Sequence, residues 1–381
     1  MIREKIALTL PGGGARAAYQ AGVLRGISDI CKFKESPFQI VSGISAGAIN
    51  GMWLAAESAD FSAATSKMVE SWKELSVNDV YRTDAATLVK TGLKWMRNLS
   101  LGDVFGKSRI TYLLDTAPLR ELLSKKIDFK KIQENLEAGL LQGLSLSATD
   151  YHLGSGITFF SGERHLKPWK HTLSRGVRTE LTIDHVMASA AIPIFFPMVH
   201  IDGRDYGDGC IGLKTPLSPA IHMGANRILI IGVQNPRGGE TEKDLKMIQR
   251  ATLGDVAGEL LNSLFLTSLD QDLERVELIN RTVAIFTPEQ IRTDPDKLRK
   301  IPTLLIRPSR DLSCVGEKEF GSFPFAIRYL LKGLGVNNQK GWDLLSYLSF
   351  DRVYTAALLD LGYQDALAKK SEILEFFCEP A

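Results

Sequence analysis

The chain has little cysteine, no long hydrophobic run and no excess of either charge. Its four cysteines, Cys31, Cys210, Cys314 and Cys378, are scattered through 381 residues with no CxxC pair. That spacing argues against a disulfide framework or a zinc knuckle and fits a reducing compartment. No apolar stretch approaches the roughly 18 residues of a membrane span. The first apolar run, Ile6–Leu10, stops at Pro11 and is too short for the core of a signal peptide. The expectation is a cytoplasmic protein whose contact with any membrane is peripheral. Lys and Arg number 46 against 44 Asp and Glu, so no global field recruits nucleic acid. No acidic loop has the spacing of a calcium-binding hand. Neither a metal nor an organic cofactor is expected.

What is present is glycine at chosen places. Ile6–Leu10 reads as a buried strand that ends on Gly12-Gly13-Gly14. Val23, Leu24, Ile27, Ile30 and Cys31 then recur at helical spacing. A second short run, Phe38–Val41, leads through Ser42-Gly43 into the apolar stretch Ala46–Ala56. Strand, glycine turn, helix, repeated, is the rhythm of an α/β protein with a parallel sheet. Further on, 149–160 and 199–206 read as hairpins, the second turning at Asp202-Gly203. His185–Ala191 reads as a small-residue helix stopped by Pro193, and Arg227–Val233 as a strand. The loop 235–239 marks the expected boundary between residues 1–238 and a mainly helical region, 239–381, packed on the first part. Within that region Pro302–Ile306 alone looks like a strand.

Gly43-Ile44-Ser45-Ala46-Gly47 fits G-x-S-x-G between strand and helix. A serine on so sharp a turn stands above the sheet with its hydroxyl free, and only glycine at the flanking positions lets the backbone close around it. The helix from Ala46 aims its positive end at that hydroxyl. Gly12-Gly13-Gly14 with Arg16 supplies what an oxyanion needs, backbone N–H groups with no side chains in the way. Arg16 either fixes this loop or holds a phosphate head group. Gly12, Gly14 and Ala17 also satisfy the dinucleotide pattern G-x-G-x-x-A. The next strand, however, ends in the serine motif and not in an acid for a ribose. Turns after neighbouring parallel strands emerge on one sheet edge, so the two glycine turns can meet there. Asp208, in Gly207-Asp208-Gly209, is a candidate base, although Asp-Gly is also a common turn.

In these motifs the chain resembles the patatin-like phospholipases. That family has a GGGxR oxyanion loop, then G-x-S-x-G, then a distant D-G-G or D-G-A whose aspartate completes a Ser-Asp dyad. Here they correspond to Gly12–Arg16, Gly43–Gly47 and Asp208-Gly209. Met187–Pro193, Phe196-Pro197 and Ala148-Thr149-Asp150 match as well, and the likeness spans roughly residues 5–235. Two positions depart from the family, Ala17 in place of glycine and Cys210 as the third residue of the aspartate motif.

The resemblance implies a three-layer α/β/α fold with a mostly parallel central sheet and a mainly helical C-terminal extension. It further implies a lipid acyl-ester hydrolase, phospholipase A or lysophospholipase in kind, acting through an acyl-Ser45 intermediate with Asp208 as base. The substrate would be a phospholipid or another long-chain acyl ester. Acyl transfer through the same intermediate, or lipid binding without turnover, are the alternatives. A Ser-His-Asp triad could draw only on His222, the sole histidine after Asp208. Residues 86–99, basic with Trp95 and several aliphatics, read as a helix covering the catalytic core, or else as a lid or interfacial helix.

Overall fold

The computed structural model describes residues 5–84, 87, 92–93, 112–172, 174–235, 252–287, 298–315, 325–333, 335–336 and 342–378. Nearly all of the helix expected at 86–99 and the boundary loop from residue 236 onward lie outside them.

The short apolar runs become strands of one sheet. These are β1 (Ile6–Leu10), β2 (Ile40–Ile44), β3 (Gly143–Asp150), β4 (Ser155–Gly162), β5 (Trp169–Lys170), β6 (Ser174–Arg178), β7 (Val199–Ile201), β8 (Arg204–Asp208), β9 (Arg227–Ile231) and β10 (Thr303–Ile306). Their order is β10-β9-β1-β2-β3-β4-β6-β5, with β8 paired to both β3 and β7. Every neighbour from β10 to β3 is parallel. The β3–β4 and β7–β8 hairpins are antiparallel. Asp202 and Gly203 turn the second of these with φ of 48° and 78°, the mirror-image turn that suits strand twist.

Both faces of the parallel strands are covered, so β1, β2, β9 and β10 read as largely apolar runs, whereas β3 alternates leucines with serines that are buried as well. Leu8, Leu10, Val41, Leu144, Leu146, Leu229 and Ile231 belong to the larger core. Against that core pack α1 (Ala18–Cys31), α2 (Ala46–Ala56), α3 (Phe61–Glu74), α4 (Ala117–Lys126) and α5 (Ile183–Ser189). The alternate residues Ala7, Ile40, Ile228 and Ile230 form a second core with Leu217, Ala220 and Met223. Leu269, Leu273 and Val276 of the long helix α6 (Leu253–Val283) complete it. These are the three expected layers.

The chain beyond residue 239 is woven into them. Its strand β10 extends the sheet beside β9. Helices α7 (Trp342–Leu348) and α8 (Arg352–Ala368) return to the first core, where Leu344, Leu345, Tyr347, Tyr354 and Leu358 are buried.

One detail of register positions the site. Strand β2 pairs with the first part of β3 and stops at Ile44 opposite Ser147. Strand β8 takes over the same side of β3 from the opposite direction, with Asp208 opposite Ala148. The ends of β2 and β8 therefore meet head to head, and Ser45 follows Ile44 directly.

Candidate active site

Ser45 occupies a sharp turn between β2 and α2, at φ 55° and ψ −130°. A non-glycine residue in so sparsely populated a region costs about 1–3 kcal/mol and persists only where its surroundings hold it. The flanking glycines are required by closeness. A Cβ on Gly47 would overlap the carbonyl oxygens of Leu10 and Pro11, and one on Gly43 would meet the backbone of Ala48. The start of α2 is thus pressed against the end of β1, and the first turn of α2 carries N–H groups with no intrahelical acceptor. Ser45 is 1% exposed.

Asp208 is fully buried, and its backbone is fixed on several sides. Its N–H donates to the Ala191 carbonyl at 3.0 Å. Its own carbonyl accepts the Thr149 hydroxyl at 2.6 Å, and Thr149 Oγ1 accepts the Gly212 N–H at 2.9 Å. Next along β3, the buried Asp150 accepts Arg175 and Arg204, each at 2.9 Å, and the N–H groups of His152 and Leu153. Burial alone would raise the Asp150 pKa. The bonds from Arg204 and the two N–H groups outweigh burial and hold it below the usual carboxylate range. Asp150 is therefore a structural tie across the two hairpins.

The Asp208 carboxylate is far less satisfied. Oδ1 accepts the Cys210 N–H at 3.0 Å, and among the described residues the buried Oδ2 has no partner of good hydrogen-bond geometry. The Ser45 hydroxyl faces the carboxylate as a hydrogen-bond donor and favours its charged form. Burial outweighs these contacts and pushes the Asp208 pKa up to about 6. A carboxylate so placed is a stronger base than a free one and is still ionised at neutral pH. Cys210 fills the space beside it. Burial first, and then the neighbouring Asp208, drive its thiol well above its ordinary pKa, while the Gly12 N–H is directed at its sulfur. The thiol is a neutral neighbour of the Asp208 carboxylate.

The glycine loop lies across from the serine. Gly14 and Ser45 line the same cavity, and Gly14 begins a short 3-10 turn, Gly14–Ala17, that continues into α1. N–H groups at such a start lack intrahelical acceptors and suit an anion. Arg16, grouped with these glycines from the sequence, has its side chain elsewhere. Its guanidinium is 3% exposed and donates to Ser346, Asn262, Tyr347 and Asp343 at 2.8–3.4 Å. It also stands 4.1 Å above the Tyr347 ring. Of the two roles open to it in the sequence, the geometry is that of fixing the loop to α6 and α7. Gly14, at φ +54°, closes the same contact, because a Cβ there would overlap the Tyr347 carbonyl. Arg16→Ala is expected to lower unfolding stability by about 2–3 kcal/mol, since it strips several charge-assisted bonds at once. An unchanged midpoint in urea would rule that anchoring out.

His222 lies apart from Ser45 and Asp208. Its Nε2 is 2.8 Å from that of His171, and its ring stacks on Trp169. Burial, then His171 and Arg299, lower its pKa to about 4. Among the described residues no histidine hydrogen-bonds to Ser45 or Asp208.

A cavity of about 530 Å³ opens at Ser45. Its wall is apolar, with Ile49 and Trp53 from α2, Met68 and Trp72 from α3, Leu119 and Leu123 from α4, and Ile192 and Phe196 after α5. The exposed side chains of Lys73, Glu74, Lys126 and Arg352 also line it. Ser189 was not singled out as a functional residue in the sequence. Its hydroxyl accepts the Ser45 N–H at 2.9 Å and donates to the Ser147 carbonyl at 2.6 Å. The small-residue character of its helix was the one local signal.

This fold and these motifs define a patatin-like α/β protein. The family model for patatin-like phospholipases matches residues 8–221, more than half of the chain, and the chain belongs to that family. Membership supports a lipid hydrolase. Among solved structures the chain is similar to VipD from Legionella pneumophila, at 12% identity and a TM-score of 0.29, covering 94% of this chain and 67% of that one. It is similar to human GIVD cytosolic phospholipase A2, solved with methyl gamma-linolenyl fluorophosphonate, at 12% identity and a TM-score of 0.39. That match covers 98% of this chain and 59% of the human one, so the chain spans about three fifths of its length. The ExoU–SpcU complex of Pseudomonas aeruginosa matches at 14% identity and a TM-score of 0.29, covering 89% of this chain and 68% of that one. No curated protein sequence matches the chain significantly. Among the described residues no helix is long and apolar enough to cross a membrane.

Proposed function

We propose that the protein hydrolyses long-chain acyl esters of lipids, as a phospholipase A or lysophospholipase, through a Ser45–Asp208 dyad. One observation carries this reading: a serine on a strained elbow lines an apolar cavity and faces a buried, under-bonded carboxylate. Asp208 accepts the proton of the Ser45 hydroxyl as Oγ attacks the ester carbonyl. The resulting oxyanion takes N–H groups of the glycine loop, of which Gly13 and Gly14 remain once Gly12 is turned to Cys210. Collapse expels the alcohol, which leaves with the proton held by Asp208. Water, deprotonated by the same carboxylate, then cleaves acyl-Ser45 and frees the fatty acid. The histidine pair at 171 and 222 has no part in these steps.

The cavity supports a single hydrocarbon arm as its occupant. A methylene takes up about as much room as a water molecule, roughly 30 Å³, so the volume suits one long acyl chain. Each buried methylene contributes about 0.8 kcal/mol. Such substrates present themselves in membranes or micelles, and contact with that surface would be peripheral.

The reading is tested with phosphatidylcholine and lysophosphatidylcholine vesicles together with an alkyl fluorophosphonate. The expected results are free fatty acid in the lipid extract and one covalent adduct mapped to Ser45. Absence of both adduct and fatty acid would favour a lipid-binding protein without turnover.

A further inference from the structure

The strained backbone of Ser45 needs a restraint that its own motif does not contain. Ile44 is held by β3, Gly47 by the end of β1, and the Ser45 carbonyl by the Ala48 and Ile49 N–H groups at 2.9 and 3.3 Å, which leaves the N–H side of Ser45 to be tied. The N–H of Ser45 itself is tied by one side chain, Ser189, across 144 positions of sequence. Ser189 is completely buried, and its hydroxyl proton is committed to the Ser147 carbonyl, so its lone pairs are oriented at Ser45. Two residues on, the Ala191 carbonyl accepts the N–H of Asp208. Between and after these positions, Ala190 and Ile192 form part of the cavity wall. One short segment, 189–192, thus grips the backbone of nucleophile and base and touches the space for the acyl chain.

Building on the dyad reading, we infer that the end of α5 is the positioning element of the active site, with Ser189 as its positioning residue. Ser189 touches no reacting atom. It sets the direction of the Ser45 Cα–Cβ bond, and with it the approach of Oγ both to Asp208 and to the ester carbonyl. It has a second consequence for the chemistry. Because the Ser45 N–H is already donated to Ser189, that group is withheld from the oxyanion, and the charge falls to the glycine loop and the free N–H groups at the start of α2.

The test is steady-state kinetics on a soluble ester of intermediate chain length, with thermal unfolding measured on the same preparations. Ser189→Ala is expected to lower kcat by about 10²-fold, the usual effect of a misplacement near 1 Å, with KM unchanged. Ser189→Thr, which keeps the hydroxyl, should recover most of the loss. A merely structural serine would lower the unfolding temperature and leave kcat per folded molecule where it was. Should Ser189→Ala fold poorly, Ser189→Cys, close in volume but a weak acceptor, carries the same expectation. Wild-type kcat in Ser189→Ala beside an inactive Ser45→Ala would overturn the positioning role and leave the dyad standing. An active Ser45→Ala would instead remove the dyad reading itself.

Discussion

Ser45→Ala is expected to lower fatty-acid release by about 10⁴–10⁶-fold while leaving the fold intact, the range seen when a catalytic serine is removed from an acyl hydrolase. The fold should tolerate the change because alanine removes one hydroxyl only, and Asp208 keeps its bond from the Cys210 N–H. The backbone strain at φ 55° is the same for alanine, and the Ser189 restraint acts on the N–H, which alanine keeps. The measurements are fatty-acid release from vesicles and covalent fluorophosphonate incorporation, each against wild type. Activity within tenfold of wild type would exclude an acyl-Ser45 intermediate.

Asp208→Asn is expected to have the next largest effect, a fall of about 10²–10⁴-fold in kcat, the usual contribution of a general base. Its effect on stability should run the other way. The folded pKa of Asp208, about 6, lies above its ordinary value of 3.8. A carboxyl group shifted upward is most favourable to the folded state below the ordinary value, and that advantage is lost as pH rises through the folded one. At neutral pH the ionised, buried carboxylate therefore costs stability, and asparagine, which still accepts the Cys210 N–H through Oδ1, avoids the cost. The variant should unfold at a higher temperature than wild type above pH of about 6, and the difference should vanish toward pH of about 4. In the wild type, kcat/KM should climb through an apparent pKa of about 6 and then level, since only the ionised carboxylate accepts the serine proton. A profile that stays flat down to pH of about 4 would contradict a base of this kind.

At Cys210 and Arg16 the local sequence leaves the side chain's surroundings open. At position 210 the sequence says only that something larger than the family's glycine or alanine stands beside the base. The structure shows a neutral thiol facing the carboxylate with Gly12 directed at its sulfur. For Arg16 the local motif admits two opposite roles, because a long side chain beside a glycine loop can point toward a ligand or away from it. The choice depends on Asn262, Asp343, Ser346 and Tyr347, hundreds of positions downstream. Nothing in the vicinity of Arg16 encodes those partners.

What the sequence determined by itself is the chemistry of short segments. Gly43–Gly47 specifies a serine elbow, and Gly12–Gly14 a loop of bare N–H groups, because each depends on backbone freedom and close approach within a few residues. The alternating strands and helices around them specify a layered α/β body for the same local reason. Only the tertiary structure decided that Asp208 stands opposite Ser45. It did so by ending β2 at Ile44, opposite Ser147, and ending β8 at Asp208 on the same side of β3, opposite Ala148. It also brought Ser189 to the Ser45 N–H and set α2, α3 and α4 around a cavity of about 530 Å³. Strand register and helix packing join residues far apart in the chain. They are set by how the two cores fill, which no single segment carries.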